Sequence, residues 1–134
     1  MSNTAYALTG LVSWALLLLV VMEAIRTCLV VTGKVAANGF TPDNAGLSPF
    51  MQRLARAHAN CIEGLPIFGG LLAIAIMTSR SAITDPLAFW LLGARIVQSM
   101  VHLASTSPMA VSLRFTAFAV QIAIGVYWSW KLMV

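Results

Sequence analysis

An all-α integral membrane bundle of four helices is the fold that the sequence predicts, and three observations predict it. The chain has 134 residues, 60% of them hydrophobic and only 9% charged, with a mean hydropathy of +0.89, far from the balance of a soluble domain. Its apolar residues collect in four runs, at about 5–31, 53–78, 86–105 and 109–131, each long enough to cross a hydrocarbon core of about 30 Å as a helix. The few charged residues within those runs recur at helical spacing, and no strand alternation competes. Short connections leave room for one membrane domain over 1–134 and for no separate soluble module.

The first run lacks an early basic stretch and a small-residue cleavage site, so it reads as helix one rather than a cleaved leader. Its Glu23 and Arg26 are three residues apart and read as a pair. From Thr32 to Ser48 the chain holds Gly33, Asn38, Gly39, Pro42, Asp43, Asn44 and Gly46, a concentration of turn formers that predicts the longest loop. Pro49 opens the approach to helix two. Thr84 and Asp85 ahead of Pro86 predict the start of helix three. The short break 105–108 predicts a tight antiparallel hairpin of helices three and four.

Cys28 and Cys61 both fall inside apolar runs and read as small core residues rather than a disulfide. No second ligand stands at metal-binding spacing from His102. A net charge of +4, scattered rather than clustered, argues against nucleic acid and for contact with lipid headgroups. The balance of Lys34, Arg53, Arg56 and Arg114 against Arg80 and Lys131 predicts a multi-pass topology with the loop 32–52 cytoplasmic and both termini opposite. Trp90, Tyr127, Trp128 and Trp130 read as an interfacial aromatic belt.

Charges within a span are costly and mark function or a buried pair. Arg53, Arg56, Asn60 and Glu63 are three, four and three residues apart, which places them on one narrow helical face. Arg95, Gln98, Ser99 and His102 repeat the pattern in helix three, and helix four adds Arg114 and Gln121. Antiparallel threading brings Arg26, Arg56, Asn60, Glu63, Gln98, His102 and Arg114 into the same half of the bilayer. That predicts one polar cavity of excess positive charge, suited to an anionic polar ligand bound beside lipid. The competing reading is interhelical hydrogen bonding alone, with His102 an interface histidine and Gln121 a packing group.

The segment from Arg53 through Arg56, His58, Asn60, Glu63 and Pro66 to Phe68 resembles the second-helix signature of the MAPEG family, membrane-associated proteins in eicosanoid and glutathione metabolism. The resemblance extends to 32–35, to Arg95 through His102 and to Arg114. It implies a four-helix protomer in a homotrimer, with glutathione bound between subunits near the cytoplasmic side. By motif position, Arg56, Asn60 and Glu63 would hold the tripeptide, joined by Arg95, His102 and Arg26. Charge-assisted bonds suit its two carboxylates and ammonium. Arg114 would be the catalytic cation that favours the thiolate.

In the prostaglandin synthase pattern of that family a serine and a tyrosine follow the helix-four arginine. Phe115 and Phe118 stand there in this chain, His102 replaces a tyrosine, Gln98 a histidine and Ala59 an arginine. The functional expectation is a glutathione-dependent membrane enzyme, of transferase or peroxidase type, acting on lipophilic electrophiles. The alternative is a non-catalytic member of the family that binds lipids or scaffolds a partner. A small transporter is disfavoured because no inverted repeat is apparent.

Overall fold

A computed structural model describes all residues from Met1 to Val134. Four helices are long and apolar enough to cross a membrane: α1 (Asn3–Val31), α2 (Pro49–Met77), α3 (Ser81–Ala104) and α4 (Pro108–Met133). Three begin on a serine that accepts an N–H of the first turn: Ser2 from Ala5, Ser48 from Met51 and Ser107 from Ala110. Pro49 and Pro108 take the first helical position, where a missing N–H costs nothing. The Ser48 cap is why α2 starts ahead of the expected 53.

Helix α3 also begins earlier than 86, at Ser81, so Pro86 lies inside it. Pro86 has no N–H for the Ala82 carbonyl, a loss confined to one bond in the second turn. Thr84 and Asp85, read from sequence as a start signal, instead dock the beginning of α1. Asp85 Oδ1 accepts the Thr4 N–H at 2.9 Å, and Thr4 Oγ1 lies 2.6 Å from Thr84 Oγ1. Asp85 therefore acts as an N-terminal cap supplied by a different helix. Asp85→Ala is expected to cost about 1–2 kcal/mol, seen as a lower melting temperature in detergent.

Helix α2 is interrupted by a π-helical turn, Leu65–Gly69. Pro66 lies in that turn and cannot donate to the Ile62 carbonyl, so the hydrogen-bond ladder slips by one residue. The turn rolls Phe68 inward, where it is buried.

Two apolar clusters fill the bundle. Ala7, Leu11, Phe68, Leu72, Ala88, Leu91, Ile124 and Trp128 join all four helices at the end bearing the termini. Trp128 is therefore a core residue and not part of the aromatic belt, while Trp90 and Trp130 remain exposed. Ala15, Leu18, Met22, Met51, Leu54, Ala55, Ala57 and Cys61 join α1 to the first half of α2. The face of α3 at that level is polar, with Arg95, Gln98, Ser99 and His102 all buried. Leu16, Leu17, Val20, Phe89, Val111 and Val126 lie exposed on the outside. Polar groups inside and large apolar groups outside suit a chain solvated by lipid.

The loop 32–48 is folded against the bundle by Asn44, which is fully buried. Its Nδ2 donates to the Met51 carbonyl at 2.7 Å, and its Oδ1 accepts Arg26 Nε at 3.0 Å. Arg26 also reaches the Thr41 carbonyl at 3.1 Å and pairs with Glu23 at 3.1 Å. In the same loop the Thr41 hydroxyl, then the Ala45 N–H, hold the Asp43 carboxyl below the ordinary carboxylate range. This turn is intact above that lowered value and loosens as pH falls through it.

Candidate binding cleft

Helices α2 and α3 run antiparallel, and polar contacts record the register. Arg53 Nε donates to the Leu103 carbonyl at 2.8 Å, Asn60 Nδ2 lies 3.4 Å from His102 Nδ1, and Cys61 Sγ lies 3.2 Å from Ser99 Oγ. Further along α2, Gly64 faces the guanidinium of Arg95. Parallel to α2 but set apart from it runs α4, with α3 behind both. The space between them is a cleft of about 790 Å³.

The cleft has two chemically distinct ends. Asn60, Glu63, Arg95 and Gln98 form one, and Ile67, Leu71, Ile122 and Val126, with Ser129 one turn beyond, line the other. The stretch of α2 from Asn60 to Leu71 corresponds to about 16 Å at 1.5 Å per residue.

Arg95 forms the floor of the polar end and is only 3% exposed. Its Nη1 donates to the Asn60 carbonyl at 3.2 Å, and the guanidinium carbon lies 5.9 Å and 6.0 Å from the centres of the Phe68 and Phe118 rings. Nη2 is buried and has no partner. The Arg95 seat exists because residue 64 is glycine: a Cβ there would overlap Nη2. Glu63 is exposed at the rim and makes no ion pair, since the chain's single salt bridge is Arg26–Glu23.

Of the seven residues that the family resemblance offers as a glutathione site, Asn60, Glu63 and Arg95 line the cleft, together with Gln98 of the predicted polar cavity. His102 stands behind Asn60, within electrostatic reach of Arg53, Arg56 and Arg114. Arg56 is exposed one helical turn before Asn60, and Arg114 is half-buried one turn before Phe118 with its Nε lacking a partner. Neither lines the cleft, although both continue its face toward the loop end. Arg26 is committed within this chain to the loop clasp and is not brought to the cleft. Gly64 and the hydrogen bond from Gln121 Nε2 to Gln98 Oε1 at 2.9 Å escaped the sequence reading, although a glycine beside a polar stripe is a usable signal of close approach.

The family model described as MAPEG family matches residues 4–134. The chain belongs to the MAPEG family. No curated protein and no solved structure matches it. MAPEG membership together with four membrane-length helices makes this an integral membrane protein. The family is associated with glutathione and eicosanoid metabolism. The cleft itself is lined by one cation, Arg95, and one carboxylate, Glu63, rather than by the excess of positive charge that the sequence predicts.

Proposed function

We propose that this MAPEG protein is a glutathione-dependent membrane enzyme, of transferase or peroxidase type, acting on lipophilic electrophiles that arrive from the bilayer. The observation that carries this reading is Arg95, which lines the cleft while buried without a counter-charge, its Nη2 unpartnered against Gly64. A buried cation left with one neutral acceptor and two ring faces matches an anionic group supplied by a ligand.

When bound, glutathione supplies a thiol nucleophile, two carboxylates and an ammonium. In this reading Arg95 and Arg56 meet carboxylates, Glu63 meets the ammonium, and Asn60, backed by His102, orients the peptide. Arg114 favours the ionised thiol from the loop end of α4. The groove of Ile67, Leu71, Ile122 and Val126 receives the lipophilic partner. Self-association into a homotrimer, with the loop 32–52 cytoplasmic, completes the proposal and covers the exposed rim.

A second reading, a non-catalytic member that binds lipid or a partner protein, has one observation in its favour. Phe118 lines the cleft and Phe115 is exposed, so neither position offers a hydroxyl. Titration of the detergent-purified protein with glutathione by calorimetry, followed by turnover of a chloronitrobenzene, separates the two. Binding with turnover is expected, and Glu63→Ala should weaken binding about tenfold, equivalent to 1.4 kcal/mol. Binding without turnover would favour the second reading. Absence of binding, or equal binding by Glu63→Ala, overturns the site.

A further inference from the structure

The apolar groove of the cleft ends on a hydroxyl. Ile122, Val126 and Ser129 stand at i, i+4 and i+7 on one face of α4, and Ile67 and Leu71 at i and i+4 on the facing side of α2. These rows follow the helix axes for about 10 Å between Ile122 and Ser129. Gly125 makes room behind them, because a Cβ there would lie 3.0 Å from Phe68 Cε1 and 3.9 Å from Leu71 Cδ1. The Phe68 ring packs on that glycine and closes the groove on its inner side.

The hydroxyls of Ser99 and Thr116 turn back onto the carbonyl four residues earlier, at 3.1 Å and 2.9 Å. That of Ser129 makes no hydrogen bond in the protein. Ser129 stands four residues before the end of α4 at Met133 and next to Trp130, which is exposed. Such a level is the membrane interface, where tryptophan collects. No charge lines this end. Arg80 is occupied by the carbonyls of Leu132 and Lys131 at 2.6 Å and 3.0 Å, and Lys131 lies over the Tyr127 ring. The charged groups that line the cleft, Arg95 and Glu63, belong to the opposite end.

Shape and charge together select an occupant. A slot between two parallel rows admits one extended chain, and its apolar walls take the methylenes. An uncharged mouth with one free hydroxyl suits a neutral oxygen, whereas an ionised head would give up water for no counter-charge. We propose that the groove takes a single-chain amphiphile with a neutral oxygen function, an alcohol or a carbonyl, at its interfacial end, and that Ser129 hydrogen-bonds that oxygen and selects it over a carboxylate. This names the class of lipophilic substrate and rests on the functional reading above.

The test uses the full chain in lipid nanodiscs with dodecanol carrying a photoreactive diazirine at mid-chain, the labelled positions being read by mass spectrometry. Label is expected on Ile67, Leu71, Ile122 and Val126. Unlabelled dodecanol should displace it about fivefold better than ionised dodecanoate at equal amount in the bilayer. Ser129→Ala should weaken displacement by dodecanol about fivefold, the size of one neutral hydrogen bond, and leave displacement by dodecane unchanged. Ser129→Thr keeps the hydroxyl, should behave as wild type and guards against a misfolded variant. Ser129→Phe should fill the mouth and abolish the label.

Displacement by dodecanol that is unchanged in Ser129→Ala overturns the anchor. Dodecanoate displacing as well as dodecanol overturns the neutral head. Label on outer residues such as Leu16, Val20 and Val111, with none in the groove, overturns the site and leaves the groove to a helix of a second copy. The experiment contains no glutathione. Failure to bind glutathione with groove labelling intact therefore overturns the reading of the polar end and leaves amphiphile binding standing.

Discussion

Replacing Arg95 with methionine is expected to weaken glutathione binding by about 10- to 100-fold while leaving the unliganded protein as stable as wild type, or more so. The two effects have opposite signs because the guanidinium is buried without a counter-charge. Its protein contacts are one neutral carbonyl at 3.2 Å and two aromatic rings near 6 Å. Such contacts offset desolvation only in part, since removing an ion from water costs several kcal/mol. Methionine fills similar volume without that cost. A bound carboxylate makes up the deficit, at about 1.5–3 kcal/mol for a hydrogen bond to a charged group. Calorimetry and thermal melts in the same detergent read both effects. A fall in melting temperature with affinity unchanged would make Arg95 a structural residue and remove the observation on which the functional reading stands.

Gly64→Ala should lower glutathione affinity about tenfold or more with little change in the fold. A Cβ at this position collides with the far end of the Arg95 side chain, and its next contacts are Arg95 Cζ at 3.3 Å and Phe68 Cδ2 at 3.4 Å. A flexible side-chain end yields before backbone does, so the guanidinium leaves its seat and enters the cleft. Alanine also favours the helix over glycine by about 1 kcal/mol, which offsets the overpacking. The decisive measurement is the pair with Arg95→Met. If Gly64 matters only as the seat of Arg95, Gly64→Ala has no further effect on affinity once the arginine is gone. Wild-type affinity in the single variant would show that the seat is immaterial.

Several departures from the sequence reading share one cause, which is that side chains chose partners distant in the chain. Thr84 and Asp85 have the composition of a local helix start, yet they serve Thr4, 80 and 81 residues away. Arg26 has the composition of a cavity residue, but the turn around Asn44 brings carbonyl and amide oxygens to it first. Trp128 resembles the other terminal aromatics in sequence, and only the packing of four helices draws it to 0% exposure while Trp130 stays at 67%. Gln98 was legible as polar and inward-facing; its partner was not, since the hydrogen bond comes from Gln121 in another helix.

By itself the sequence determined the class of solvent, the number of spans and the presence of an internal polar face on each. These follow from hydropathy, length and the 3.6-residue period, properties local to a single helix. Resemblance in the second helix also carried the family, since the Arg56, Asn60 and Glu63 spacing survives as a contiguous motif. Tertiary structure alone decided which polar groups meet. It gathered Asn60, Glu63, Arg95 and Gln98 around one cleft, left Arg56 and Arg114 at its approach, and tied Arg26 to a loop. Helical period fixes the face on which a residue lies, but not the rotation and depth at which two helices pack. Those are set by close approaches such as Gly64 against Arg95 and Gly125 against Phe68, and by the π-helical turn at Pro66.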